Sequence, residues 1–273
     1  MTTPMLFGIL NITEDSFSDG GRNLDPAIAI ATARRLAADG AQIIDLGAAA
    51  SNIAARPVAP EEEICRLAPV IAALREDGIA VSVDSFAPAT QLFALRAGVE
   101  FLNDIQGFPD PVVYPQLAAA CCRLVVMHAV QGRGRAQRVP VPADEIWSRI
   151  EDFFAARITA LTKAGVARER LILDPGMGFF LSSEAAASLT VLSGLDRLKR
   201  SFGLPVLVSV SRKSFLAAVT GRQVAGQLGP ATLAAELYAS AHGADYIRTH
   251  DPAALRDGLL VMAALRREAE ATG

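Results

Sequence analysis

The sequence predicts a single (β/α)8 TIM barrel, and three features carry that expectation. Eight short apolar runs recur along the 273 residues, each continuous rather than alternating, as suits parallel strands covered on both faces. Stretches rich in Ala, Leu, Arg and Glu, with helical spacing, lie between them. The repeat comes to about 34 residues per strand–helix unit, which matches a βαβ unit of roughly 30 or more and, repeated eight times, a closed barrel.

Taken in order, the candidate strands are 5–11, 41–47, 80–84, 100–104, 123–128, 170–174, 205–211 and 244–250. Asp25-Pro26 opens the first helix, as an N-cap followed by proline at the first helical position. Gly40, Gly78, Gly98, Gly165, Gly203 and Gly243 each fall where a helix ends and a strand begins, the place of a C-cap glycine. The rival is a doubly wound open sheet, but no Gly-x-Gly-x-x-Gly turn follows the first run. No linker or low-complexity stretch interrupts the pattern, so residues 1–273 read as one domain.

Composition narrows the functional class. With 26 basic and 29 acidic side chains, a net charge of -3 and no basic cluster, the chain lacks an electrostatic footprint for nucleic acid. No segment approaches the ~18 consecutive apolar residues of a membrane helix. The first residues lack the basic region of a secretory signal. Cys65, Cys121 and Cys122 form neither a metal-ligand spacing nor an even disulfide framework, which points to reduced thiols in a cytoplasmic protein.

Polar residues cluster at the carboxyl ends of the runs: Asn11, Asp45, Asp84, Asn103 with Asp104, His128, Asp174, Ser211 with Lys213, and Arg248 with His250. In a barrel those ends form one mouth, the face that carries the active site. Any one of them could be a capping residue, but all eight runs end this way. Asp84, Asn103 and Asp174 suit a ligand with adjacent N–H donors, such as an aminopyrimidine edge, and could instead be paired acid and base groups. Lys213 and the Arg248/His250 pair bring positive charge suited to a phosphate-bearing group, and Arg212 is either part of it or a strand-end ion pair. Asn11, Thr13, Asp15 and Ser18 make an oxygen-rich loop compatible with Mg²⁺ and, with its two glycines, with a lid. His242 lies in an Ala-rich helix and reads as structural, and the three histidines make no zinc pattern. Together the residues describe a barrel for a small heteroaromatic, phosphorylated substrate with Mg²⁺.

Residues 8–21 (GILNITEDSFSDGG) resemble the N-terminal signature of the dihydropteroate synthases. The segments 82–86 (SVDSF), 102–105 (LNDI), 126–128 (VMH), 173–178 (LDPGMG), 211–215 (SRKSF) and 247–251 (IRTHD) resemble the family's later motifs in the same order. The resemblance implies an enzyme that joins 6-hydroxymethyl-7,8-dihydropterin pyrophosphate to p-aminobenzoate, releasing pyrophosphate. It implies that Asp84, Asn103, Asp174 and Lys213 form the catalytic pterin pocket, with Met127 beside it. Asn11 would ligate Mg²⁺ with Thr13 nearby, and Arg248 and His250 would hold pyrophosphate. Ser51, Phe179, Phe180 and Ser211 would border the p-aminobenzoate site. A homodimer formed through the late helices is also implied, with 228–241 and 255–265 as apolar candidates for its face.

Two segments depart from the family pattern. The second loop ordinarily reads GGESTRPG and here reads GAAASNIA at 47–54, with Ser51 for Thr and Asn52 for Arg; Arg56 is the candidate substitute. After Gly178 come Phe179 and Phe180, where the family usually has a single aromatic before Gly and Lys. These changes resemble the plasmid-borne, sulfonamide-insensitive subgroup, and imply an extra ring that admits a flat carboxylate but excludes a tetrahedral sulfonyl. The two rings could equally be a cover for the barrel rim. The competing functions are a pterin-dependent corrinoid methyltransferase, which needs neither the phosphate-facing cations nor the Asn11 loop, and a non-catalytic pterin-binding paralogue, favoured only by the altered second loop.

Overall fold

The computed structural model describes residues 3–13, 22–49, 56–132, 134–222 and 224–272. Eight parallel strands run as β1 Met5–Asn11, β2 Ile43–Gly47, β3 Ala80–Asp84, β4 Phe101–Asp104, β5 Arg123–Met127, β6 Leu171–Asp174, β7 Leu207–Val208 and β8 Tyr246–Thr249. They pair in the order β6-β5-β4-β3-β2-β1-β8-β7. A bridge from Leu173 to Val206 joins the two ends of that order, with the Leu173 N–H donating to the Pro205 carbonyl at 2.9 Å, so the sheet closes into a barrel. Every apolar run is thus a strand. The seventh is far shorter than 205–211. Pro205 has no N–H for a ladder, and beyond Val208 the chain turns toward Arg212, whose φ is 58°.

The helices are α1 Pro26–Ala38, α2 Pro60–Glu76, α3 Pro88–Ala97, α4 Tyr114–Ala119, α5 Ile146–Lys163, α6 Ala185–Ser193, α7 Asp196–Phe202, α8 Ser214–Thr220, α9 Gly229–Ala241 and α10 Pro252–Thr272. Asp25 caps α1 as its sequence implies, accepting from the Ala27 N–H at 2.8 Å. Gly98 and Gly203 are left-handed C-caps, with φ of 74° and 60°. Gly40, Gly78, Gly165 and Gly243 stand one residue beyond their caps instead. Two units carry two helices each. The α6–α7 break falls at Gly194, where a Cβ would come within 3.0 Å of the Trp147 indole.

Inside the barrel, side chains alternate inward and outward along each strand. The inward set nearest the amino-terminal end is Phe7, Ile43, Phe101, Val125, Ile172, Leu207 and Tyr246, one from each of seven strands, with Ala80 packed against them from β3. Phe7 meets Phe101 edge-on at 5.1 Å between ring centroids and Tyr246 at 5.7 Å. This layer is a plug that excludes water from below. Two residues further along each strand, the inward position is the floor of the mouth.

Candidate active site

Counting two residues beyond the plug on each strand gives Ile9, Asp45, Ser82, Asn103, Met127, Asp174, Ser209 and Arg248. The floor is therefore polar in a barrel whose layer beneath is apolar, and no packing requirement explains that. Asp45, Ser82, Asn103, Asp174 and Ser209 are all buried. Asp45 Oδ1, Ser82 Oγ, Asn103 Oδ1 and Ser209 Oγ have no hydrogen-bond partner there. Unpaired buried polar atoms are costly, so four in one layer mark a place built to be completed by a ligand.

Arg248 crosses this floor. Its Nε pairs with Asp45 and its Nη2 with Asp84 Oδ2 at 2.9 Å. Burial pushes the Asp84 carboxyl up, and Arg248 pulls against that rise. The two carboxylates hold Arg248 firmly protonated despite its burial. Asp174 is pushed up to about 6, chiefly by burial, although the Gly176 N–H donates to its Oδ1 at 2.8 Å. Lys213 is pushed down to about 8 by burial and by Arg248. Its Nζ stands 5.1 Å from the centroid of the Phe180 ring, a cation over an aromatic face.

One cleft gathers Asp84, Asn103, Met127, Asp174, Phe180, Lys213 and Arg248, with Ile105 and Ser209 among its remaining walls. The residues read from the sequence as the pterin pocket thus come together. His250 and Arg212 face a second crevice, lined also by Thr32 and Arg35 of α1. Ser211 joins it through His250, whose Nδ1 lies 2.9 Å from the Ser211 Oγ. Burial and the cations Arg212, Arg248 and Lys213 push His250 well down, so its ring is neutral. Among the described residues Arg212 makes no ion pair, which sets aside its strand-end salt bridge as the explanation.

Asn11 stands at the end of β1, its Oδ1 3.4 Å from where a Gly47 Cβ would be. Thr13 follows it with a buried hydroxyl that has no partner. Among the described residues no three His, Cys, Asp or Glu side chains are placed to hold a metal. Phe180 packs with Ile105, Met127, Ala129 and Ala136, while Phe179 packs against the edge of that cluster, partly buried, with the guanidinium of Arg138 over its ring at 5.5 Å. Ser51, Asn52, Asp15 and Ser18 lie outside the described residues. Arg56 pairs with Glu62 of α2.

Two strand-end residues turn away from the mouth. Asp104 accepts from the Gln91 Nε2 at 2.9 Å and from the Gln106 and Phe108 N–H groups, and so shapes the loop after β4. His128 packs edge-on against Phe153, with its Nδ1 3.1 Å from the Pro175 carbonyl, and burial pushes it down to about 4. Both are one residue off the inward register. His242 is structural as read, stacked 3.8 Å from Tyr238. Asp45 was read only as one of the polar strand ends, and Ser209 was not singled out at all. Their signal was the period of two counted from Ile43 and Leu207. Arg66 was also missed: from α2 it donates to the Ala48 carbonyl at 3.0 Å and the Ile12 carbonyl at 3.4 Å, pinning the ends of β2 and β1 together.

Residues 7–250 match the family model described as pterin binding enzyme. The type-2 dihydropteroate synthase of Escherichia coli is 60% identical over 265 residues, covering 97% of each chain. The chain belongs to the dihydropteroate synthase family. Solved family structures agree in fold. The Xanthomonas albilineans dihydropteroate synthase with 4-aminobenzoic acid superposes with a TM-score of 0.87 at 35% identity, over 97% of this chain and 93% of that one. The Burkholderia cenocepacia dihydropteroate synthase complexed with 7,8-dihydropteroate gives 0.83 at 32% identity, over 98% and 93%. The polar floor and its Lys213 lid therefore sit in a dihydropteroate synthase barrel.

Proposed function

We propose that this protein condenses 6-hydroxymethyl-7,8-dihydropterin pyrophosphate with p-aminobenzoate to give 7,8-dihydropteroate and pyrophosphate. The observation that carries the reading is the cleft itself: a buried carboxylate, Asp174, gathered with the unpartnered Asn103 Oδ1 and with Lys213. Acceptors and a donor in one cleft match the amino and ring N–H edge and the carbonyl of a pterin. Related enzymes holding 4-aminobenzoic acid and 7,8-dihydropteroate support the same pair of substrates.

Asp174 accepts two N–H donors as a charge-assisted pair, which fixes the ring plane. Asn103 satisfies a neighbouring donor, and Lys213 donates to the ring carbonyl. Loss of pyrophosphate leaves positive charge on the pterin methylene, and Asp84 with Asp45 favours it. Arg248 neutralises those two carboxylates in the free protein, and its Nη1 is left for the departing phosphate. His250, with Arg212 beside it, receives the rest of the pyrophosphate. Ser211, Phe179 and Phe180 border the arylamine. Purified protein should form 7,8-dihydropteroate, read by mass, only when both substrates are present; formation of none while pterin still binds would leave a pterin-binding protein without this activity.

Mg²⁺ fits the β1 end as an ion held mainly by water and substrate phosphates, with Asn11 and Thr13 supplying the protein oxygens. When bound, it would neutralise charge on the leaving group. Insensitivity to sulfonamides is supported by the doubled ring at Phe179-Phe180. A homodimer is supported by the exposed Leu260, Val261 and Leu265 on α10. No helix among the described residues is long and apolar enough to cross a membrane, and Cys65, Cys121 and Cys122 are free thiols, which suits a cytoplasmic enzyme.

A further inference from the structure

Gln91, in the first turn of α3, is only 2% exposed and lines no part of the cleft. Its partners lie where β3 and β4 separate. The two strands stay in register as far as Asp84 and Asn103. One backbone rung follows, the Ser85 N–H donating to the Asn103 carbonyl at 3.1 Å. Gln91 carries the pairing one step further. Its Nε2 donates both hydrogens, one to the Ser85 carbonyl at 2.8 Å and one to the Asp104 Oδ2 at 2.9 Å. Ser85 follows Asp84 and Asp104 follows Asn103, so a single amide nitrogen spans the two strand ends immediately after two residues of the pterin pocket.

Both ends are anchored in turn. The Ser85 hydroxyl donates to the Glu63 Oε2 of α2 at 2.6 Å. Asp104 accepts from the Gln106 N–H at 2.7 Å and the Phe108 N–H at 3.0 Å. Among the described residues Asn103 Oδ1 has no partner, and Asp84 is held from across the barrel by Arg248. The placement of the two side chains relative to each other is therefore set by the backbone that carries them. An apolar side chain at position 91 would strand a buried carbonyl and weaken the hold on a buried carboxylate.

We propose that Gln91 is a positioning residue: by bridging Ser85 and Asp104 it fixes the spacing of Asp84 and Asn103, and with it the fit of the pterin ring against them. The inference rests on the roles given above to Asp84 and Asn103.

The test is steady-state pyrophosphate release at pH 7 with each substrate varied in turn. Gln91→Met, close in length and without a donor, should raise the KM for the dihydropterin pyrophosphate about tenfold and that for p-aminobenzoate less than twofold, since small misplacements of a contact reach that size. Asp104→Asn, equal in shape but unable to accept at once from Gln91 and from two backbone N–H groups, should shift the same constant in the same direction. A folded Gln91→Met protein with both constants unchanged, or with both raised equally, overturns the proposal while the wild-type activity stands. Where Gln91→Met does not fold, Asp104→Asn decides on the same readout. No release by the wild type with both substrates present would remove the pocket reading itself, and the proposal with it.

Discussion

Arg248 Nη2 lies 2.9 Å from Asp84 Oδ2, so the strongest cation of the mouth is committed to carboxylates before any substrate arrives. With Asp45 wholly buried on its other side, the three residues form a triad in which each charge depends on the others. Removing one partner of such a group strands a buried charge. Arg248→Met should therefore destabilise the fold by about 3–5 kcal/mol in denaturant titration. The double variant Arg248→Met/Asp45→Asn should recover much of that loss without recovering activity. Equal stability of the single variant and the wild type would contradict the triad.

Asp174 must be ionised to accept two N–H donors, and burial pushes it up to about 6. Pterin affinity should therefore fall as pH drops below about 6, approaching tenfold per unit. Burial pushes Asp84 in the same direction, so its protonation adds to the same dependence. In the free protein the sign is opposite. The stability from a raised carboxyl is complete below its ordinary value of 3.8 and lost as pH rises through about 6. The melting-temperature gain on pterin binding should accordingly be larger at pH 7 than at pH 5. A gain independent of pH would contradict this assignment.

Gly176 holds the turn after Asp174 at φ 72°, and a Cβ there would stand 2.4 Å from the His128 carbonyl oxygen. Its own N–H orients the Asp174 carboxylate at 2.8 Å. Gly176→Ala should cost at least about 2 kcal/mol of stability, since left-handed strain adds to the clash. It should also weaken pterin binding more than p-aminobenzoate binding, measured by calorimetry with each ligand.

The two phenylalanines after Gly178 differ in what their removal should do. Phe180 is packed among Ile105, Met127, Ala129 and Ala136 and lies under Lys213, so Phe180→Gly should cost about 3–5 kcal/mol and the pterin with it. Phe179 is only partly buried, under Arg138. Phe179→Gly should leave the fold largely intact and lower the inhibition constant for sulfamethoxazole. An unchanged inhibition constant in that variant would remove Phe179 as the excluding group.

The barrel was legible because continuous apolar runs are what strands covered on both faces require, although β7 is shorter than its run. Asp84, Asn103, Asp174 and Lys213 were legible too, because polar residues end all eight runs, more than capping alone requires. Asp45 and Ser209 were harder. Asp45 was visible as a polar strand end and Ser209 lay inside its run, and only the plug layer, visible once Phe7, Phe101 and Tyr246 are seen to meet, sets the register that turns both inward. Asp104 and His128 also end their runs, but a shift of one residue along a strand reverses the face and turns them from the mouth.

The central claim is that this cleft binds a dihydropterin pyrophosphate and condenses it with p-aminobenzoate. Its most direct test is pyrophosphate release from that substrate by the wild type and by Asp174→Asn, with and without p-aminobenzoate. Release that requires p-aminobenzoate and is lost in Asp174→Asn is the predicted result. Release that persists at the wild-type rate in Asp174→Asn, or no release by the wild type with both substrates present, would contradict it.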